Sequence, residues 1–300
     1  MKSRSLNKPS YRTAIAESEL IINEDGSIFH LHLKPAQLAD LIVMCGDPAR
    51  VSMIAEYFDT KECDVSSREF HTITGTYKGK RISVVSHGIG CDNIDIVVNE
   101  LDALANIDFE TRTVRNDFRQ LTMVRIGTSG GIQPFTPIGS YVAAEKSIGF
   151  DGVVYFYKDN EKIRDKQIEN ELTKQLGWNI TGIRPYVVSA DKSLIEQITK
   201  NDIIRGMTIA ANGFYGPQGR ELRLGLADNK LNSKIESFCF ENRQITNYEM
   251  ESSALAGLAA MMGHRAVTVC CIIAGRYSKN MNTNYKDALP ALIETILDRI

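Results

Sequence analysis

Three short apolar runs in this chain each stop at a glycine-bearing turn, and this rhythm restricts the fold more than any other feature. Leu41-Ile42-Val43-Met44-Cys45 ends in Gly46-Asp47-Pro48, with helical spacing expected over 51–58. Arg81-Ile82-Ser83-Val84-Val85-Ser86 ends in Gly88-Ile89-Gly90, and Ile94, Val97, Val98, Leu101 and Leu104 then recur at the period of a helix. Leu121-Thr122-Met123-Val124-Arg125-Ile126 ends in Gly127-Thr128-Ser129-Gly130-Gly131. Residues 140–144 read as a further strand and 266–274 as a fully buried one. The pattern predicts an α/β fold, a mixed central β-sheet flanked by helices on both faces. Polar segments 106–120, 159–177 and 192–205 are expected to be surface helices. No repeat or linker divides the chain, so 1–300 is taken as one domain with 1–27 as an N-terminal extension.

Bulk properties exclude several classes of function. A formal net charge of −2 over 300 residues gives no basic surface for nucleic acid or membrane. The longest apolar run near the end, 267–274, is far below the roughly 18 residues of a membrane span. The first twelve residues are polar and basic, without a secretory pattern, and a cytoplasmic location is expected. Cysteines at 45, 63, 91, 239, 270 and 271 lack metal-ligand spacing, and Cys45, Cys270 and Cys271 read as buried free thiols.

Chemistry concentrates in a few segments. Glu249 and Glu251, two apart at the end of a strand-like stretch, would share a face and could accept from a vicinal diol such as a ribose. The alternative is a pair of solvated glutamates favoured by a helix N-terminus. Gly46 lets a backbone approach a ligand, and Arg50 adds donors suited to phosphate, although a plain turn before a helix has the same pattern. Arg125, flanked by Met123, Val124 and Ile126, is costly to bury unpaired. With Thr128 it reads as half of an oxyanion site, or else as a structural ion pair within the sheet. Arg68 alone reads as a surface ion pair, and His30 with His32 lacks a third metal ligand. In Gly213-Phe214-Tyr215-Gly216-Pro217-Gln218-Gly219-Arg220, a carboxamide and a guanidinium come together beside an aromatic face. That set suits a pyrimidine's adjacent carbonyl and N–H.

Taken together, in order and spacing from about residue 28 onward, these segments resemble the nucleoside phosphorylases of the uridine phosphorylase type. The resemblance rests on Phe29-His30-Leu31 with Gly46-Asp47-Pro48-Ala49-Arg50, on Ser67-Arg68-Glu69-Phe70, and on Arg125 through Pro134. Phe214 through Arg220 and Asn247-Tyr248-Glu249-Met250-Glu251-Ser252 complete it. It implies phosphate binding by Gly46, Arg50, Arg125 and Thr128, joined by Arg68 from a neighbouring subunit. It implies ribose binding by Glu249, Met250 and Glu251, with the neighbour's His30 at the 5′-hydroxyl. Gln218 and Arg220 would recognise uracil, with Phe214, Ile273 and Ala274 packing on the base. Arg125, Arg220 and Gln218 would carry the catalysis, without a cofactor or metal. The substrates would be uridine and inorganic phosphate, and the minimal unit a homodimer, in some members assembled into a hexamer.

Purine-specific relatives of this fold use an aspartate just after the last core strand, where this chain reads Ala274-Gly275-Arg276-Tyr277-Ser278. Hydrolytic relatives have no use for the phosphate arginines, and a nucleoside-binding sensor could lose them. The base loop departs from the family pattern: Gly216-Pro217-Gln218-Gly219-Arg220 stands where Pro-Gly-Gln-Glu-Arg is expected. Some members hold a monovalent cation near the position of Glu69, but the companion serine is here Asn93, so no ion is carried over. The polar stretch 277–285 is a candidate lid.

Overall fold

The computed structural model describes residues 13–276, 280–281 and 285–300. The expected strands are all present, and the first run of elements is β1 (Leu41–Cys45), α1 (Pro48–Ala55), β2 (Thr60–Ser67), β3 (Phe70–Tyr77), β4 (Lys80–Ser86) and α2 (Cys91–Asn106). A small hairpin of β5 (Ile107–Asp108) and β6 (Thr113–Val114) precedes β7 (Thr122–Gly131) and β8 (Tyr141–Gly149). Then come α3 (Lys166–Leu176), β9 (Tyr186–Ser189), α4 (Lys192–Thr199), β10 (Ile204–Ala210) and α5 (Leu231–Ser237). The chain continues through β11 (Cys239–Phe240), β12 (Arg243–Glu249), α6 (Ser252–Met262), β13 (Arg265–Gly275), β14 (Asn280–Met281) and α7 (Leu289–Arg299).

The main sheet runs β11-β12-β10-β8-β13-β7-β1-β4-β3-β2, and an added pairing of β12 with β7 closes five of its strands into a ring. Parallel pairs (β1 with β4 and β7, β7 with β13, β8 with β10, β10 with β12) mix with antiparallel ones (β8 with β13, β7 with β12, β3 with β2 and β4). Helices cover both faces, as the apolar runs require. Successive residues of β1 point to opposite sides: Val43 and Cys45 join a core with α1, α4 and α7, whereas Ile42 and Met44 join one with α2 and α6. Each such fully buried aliphatic side chain stabilises the fold by about 1.5–3 kcal/mol.

Three expectations need correction. Segment 106–120 is not a helix: α2 stops at Asn106 and the β5–β6 hairpin follows. Asp108 accepts from the Thr111 N–H at 2.8 Å, a local turn that competes with helix. In 159–177 the α-helix starts only at Lys166, after Asp159 takes a left-handed φ of 66°. In 192–205 the helix ends at Thr199 and β10 begins at Ile204. Of the proposed extension, residues 13–27 pack on the body through buried Leu20 and Ser27, and residues 1–12 lie outside the described residues. Among the described residues no helix is long and apolar enough to cross a membrane.

Candidate active site

Strands β1, β4, β7 and β13 run parallel, so their C-terminal ends open on the same side, where α/β sheets place ligands. The turns after β1 and β4 and the last residues of β7 and β13 line one cavity of about 1020 Å³ with the end of β12 and the 214–220 loop; the turn expected at 127–131 is instead the end of β7. That volume is on the scale of a small-molecule site.

At one end lie Gly46, Arg50, Arg125 and Thr128. Asp47 caps α1 by accepting from the Ala49 N–H at 2.9 Å, and buried Arg50 projects from the first turn to donate to the Ile126 carbonyl at 3.1 Å. Arg125 is buried in β7 and held on three sides. Its Nε donates to His87 Nε2 at 3.1 Å, Nη1 to Glu249 at 3.0 Å, and Nη2 to Glu251. Burial works against its charge, but Glu251 and Glu249 more than offset this and hold it a firm cation. The guanidinium folds back over Gly127, where a Cβ would sit 2.6 Å from Nη1. A larger residue at 127 would push Arg125 out of place.

His87, just beyond β4, is fully buried, and its pKa is driven well below the ordinary value by that burial and by the charges of Arg125 and Arg50. The ring is therefore neutral and accepts from Arg125 through Nε2. Its proton is thereby assigned to Nδ1, which has no hydrogen-bond partner among the described residues. His87 was not among the residues singled out from sequence. The available signal was a histidine lodged between a buried strand and a glycine turn.

Glu249 ends β12, and Glu251 is the N-cap of α6. Glu249 accepts from the N–H groups of Glu251 and Ser252 at 2.9 and 3.0 Å and from Ser252 Oγ at 2.6 Å. Glu251 accepts from the Gly90 N–H, at the start of α2, at 2.7 Å. Both carboxylates converge on Arg125 and line the cavity, and Glu249 also accepts at the start of α6; the reading as a solvated pair is overturned. Neither is solvated. Burial raises the pKa of Glu251 despite the attraction of Arg125, and the neighbouring Glu249 adds to the rise. Met250 completes the turn and lines the cavity.

The far end is formed by Phe214, Gln218, Arg220, Tyr248, Ile273, Ala274 and Arg276. Arg220 stacks on Phe214, its guanidinium carbon 3.7 Å from the ring centroid, and Nη1 donates to Gln218 Oε1 at 2.5 Å. Burial and the nearby charge of Arg276 lower the Arg220 pKa to about 10. Arg276 lies over Tyr248 and donates to the Gln218 carbonyl. Sequence reading noted no acid at this stretch but gave Arg276 no part. Of the candidate lid, 280–281 form β14, pair with Ala274–Gly275 and line the cavity; 277–279 and 282–284 lie outside the described residues.

Two nominated residues do not line this cavity. Arg68 sits exposed in the β2–β3 turn at φ 55°, its guanidinium over Phe29. His30 is turned toward Glu100, with Nδ1 at 2.6 Å from the carboxylate, which also accepts from the N–H groups of His30 and Leu31. His32 pairs instead with Asp25. Among the described residues no group of three or more His, Cys, Asp or Glu side chains could hold a metal.

Comparison with known proteins gives the family. The family model described as the phosphorylase superfamily matches residues 40–297. The uridine phosphorylase of Haemophilus influenzae is 31% identical over 252 residues, covering 83% of this chain and 86% of that protein. A DeoD-type purine nucleoside phosphorylase of Colwellia psychrerythraea is 25% identical over 287 residues, covering 89% and 98%. In three dimensions the chain is similar to a Trypanosoma brucei nucleoside phosphorylase described as showing uridine phosphorylase activity. The TM-score is 0.83 at 28% identity, over 93% of this chain and 98% of that one. A ring-closed mixed sheet, a buried arginine between two glutamates and a family match across most of the length lead to one assignment: the chain belongs to the phosphorylase superfamily and is built as a nucleoside phosphorylase.

Proposed function

We propose that the protein cleaves uridine with inorganic phosphate to uracil and ribose 1-phosphate, reversibly, as a cytoplasmic enzyme of pyrimidine salvage. The observation that carries this reading is the far end of the cavity. Gln218 Oε1 accepts from Arg220, the guanidinium groups of Arg220 and Arg276 line this end, and the described residues there include no carboxylate, which supports a pyrimidine at this position. A purine leaving group needs protonation at N7, whereas a departing uracil gathers negative charge that arginine and carboxamide donors stabilise.

Cleavage of an N-glycosidic bond passes through an oxocarbenium-like sugar, as in glycoside chemistry generally. Phosphate held by Gly46, Arg50, Arg125 and Thr128 would attack C1′, its charge stabilising the cationic sugar. Glu251, with Glu249 and Met250, would hold the ribose, and Ile273, Ala274 and Phe214 would pack on the base. No activated serine or cysteine is needed, since positioning and preorganised charge supply the effect. The placement of His30 and Arg68 outside the cavity supports their service to a second copy's site. A homodimer would then be the minimal unit, and a hexamer built from such dimers a further assembly.

The test is release of free base from uridine, thymidine, inosine and adenosine, each with and without phosphate. Uracil release that requires phosphate is the expected result. Release without phosphate would make the protein a hydrolase, preference for inosine or adenosine a purine enzyme, and no release a binding protein.

A further inference from the structure

The loop that carries Gln218 and Arg220 departs from the family pattern at Gly219, and α5 supplies the reason. Gly219 takes a φ of +66°, and a Cβ there would lie 2.2 Å from Nδ2 of Asn232. Asn232, half-buried near the start of α5, uses its whole carboxamide. Nδ2 donates to the carbonyls of Gln218 and Gly219 at 3.2 and 3.4 Å, and Oδ1 accepts from the Tyr248 hydroxyl at 3.0 Å. Tyr248 immediately precedes Glu249. One side chain thus ties the loop facing the base to the strand that ends in the carboxylate pair. It has no place in the cavity lining.

We infer that Asn232 is a positioning residue for the base subsite, locking the Gln218–Arg220 turn in register with β12; this rests on the proposed pyrimidine reading. The turn itself is closed by its own backbone bonds, Gly219 N–H to Gly216 O and Arg220 N–H to Tyr215 O, each 2.9 Å. Loss of Asn232 therefore leaves a formed turn that is free to shift. Beyond the Gly219 N–H bond that closes the turn, the 218–219 peptide is held through its carbonyl by Asn232 and by Arg276. A shift of that peptide misaims the Gln218 amide. The phosphate arginines, anchored in β7 and α1, stay where they are.

The reverse reaction separates these effects, because uracil and ribose 1-phosphate have their own KM values. For Asn232→Leu, close in size but without polar atoms, KM for uracil is expected to rise about tenfold, the worth of one to two net hydrogen bonds. KM for ribose 1-phosphate and, forward, for phosphate should stay within about twofold of wild type on the same reasoning. Tyr248→Phe removes only the third link and should give a smaller rise of the same kind. If Asn232→Leu fails to fold, Asn232→Ala carries the same comparison. Parallel changes in all KM values, or a lower melting midpoint with the KM ratio unchanged, would reduce Asn232 to a structural residue and overturn the inference. If the wild-type enzyme turns over another base, the same ratio is measured with that base, so the two readings fail separately.

Discussion

Replacing Arg125 with alanine should damage both stability and turnover, and the two effects differ in their dependence on pH. The guanidinium is the only cationic partner of the buried carboxylates of Glu249 and Glu251 among the described ion pairs. Removing one partner of a buried pair costs about 3–5 kcal/mol because the remaining charge is left uncompensated. Against a total of about 5–15 kcal/mol for a domain, the variant folds but is weakened. Glu249 keeps its bonds to the start of α6, whereas Glu251 keeps that from Gly90, so Glu251 is the group that takes up a proton. Its pKa, already raised by burial, rises further without the cation. A carboxyl with a raised folded pKa loses stability as pH climbs from its unfolded value, about 4.3, through the folded one. The deficit of Arg125→Ala relative to wild type should therefore be smaller at about pH 5.5 than at about pH 8. Turnover should fall by at least about 10²–10³ at either pH, since a donor is missing where charge develops. Urea denaturation at the two pH values with parallel rate measurements checks both. A variant within about 1 kcal/mol of wild type at both pH values would refute the account of the buried pair, and near-normal turnover would refute the phosphate role.

Gln218→Ala should weaken uridine turnover far more than any activity on inosine or adenosine, as read from kcat/KM for each nucleoside. His87→Leu removes the acceptor on Arg125 Nε, and kcat with saturating uridine and phosphate should fall about tenfold, the scale of one hydrogen bond to a charged group. The same variant tests a pH effect. A histidine whose folded pKa is depressed costs stability as pH falls below its unfolded value of about 6.5, so His87→Leu should show a flatter loss of stability on the acid side than wild type. Gly219→Ala should lower stability by about 1–3 kcal/mol, through positive-φ strain and collision with Asn232, measured by the shift of the denaturation midpoint.

Much of the fold was legible because β1, β4, β7 and β13 are buried on both faces and so read as continuous apolar runs ending in glycine. The closure of the ring by β12 and β7 was not, because it depends on where Asn247 and Tyr248 meet Gly131 and Gly130, residues far apart in the chain. The polarity of segment 106–120 fits a surface helix and a surface hairpin equally; in the structure Asp108 accepts from Thr111 and Asn106 accepts from the N–H groups of Arg115 and Arg119, bonds that hold the hairpin. Within the site, Arg125 and the two glutamates drew notice because charges in apolar strand-end contexts demand partners. Asn232 carried no such mark. It is an asparagine in a polar helix, 14 residues from the carbonyl it holds, and only the folded chain brings them together. His87 and Arg276 stand beside strand ends but belong to no motif spacing.

The three-sided grip on Arg125 bears on how the enzyme pays for order. A free arginine side chain carries about 2 kcal/mol of rotamer entropy, which a ligand fixing it would have to supply at each encounter. Here Glu249, Glu251 and His87 remove that freedom when the chain folds, once per molecule and not once per turnover. In the proposed phosphate role the guanidinium keeps one N–H on Nη2 for an incoming anion, its second Nη1 N–H being directed at Cys270 Sγ, 3.8 Å away. Under that proposal, binding would select for the oxygen that fits this fixed direction and would do little to stabilise oxygens that do not, turning a generic attraction between opposite charges into a geometric filter.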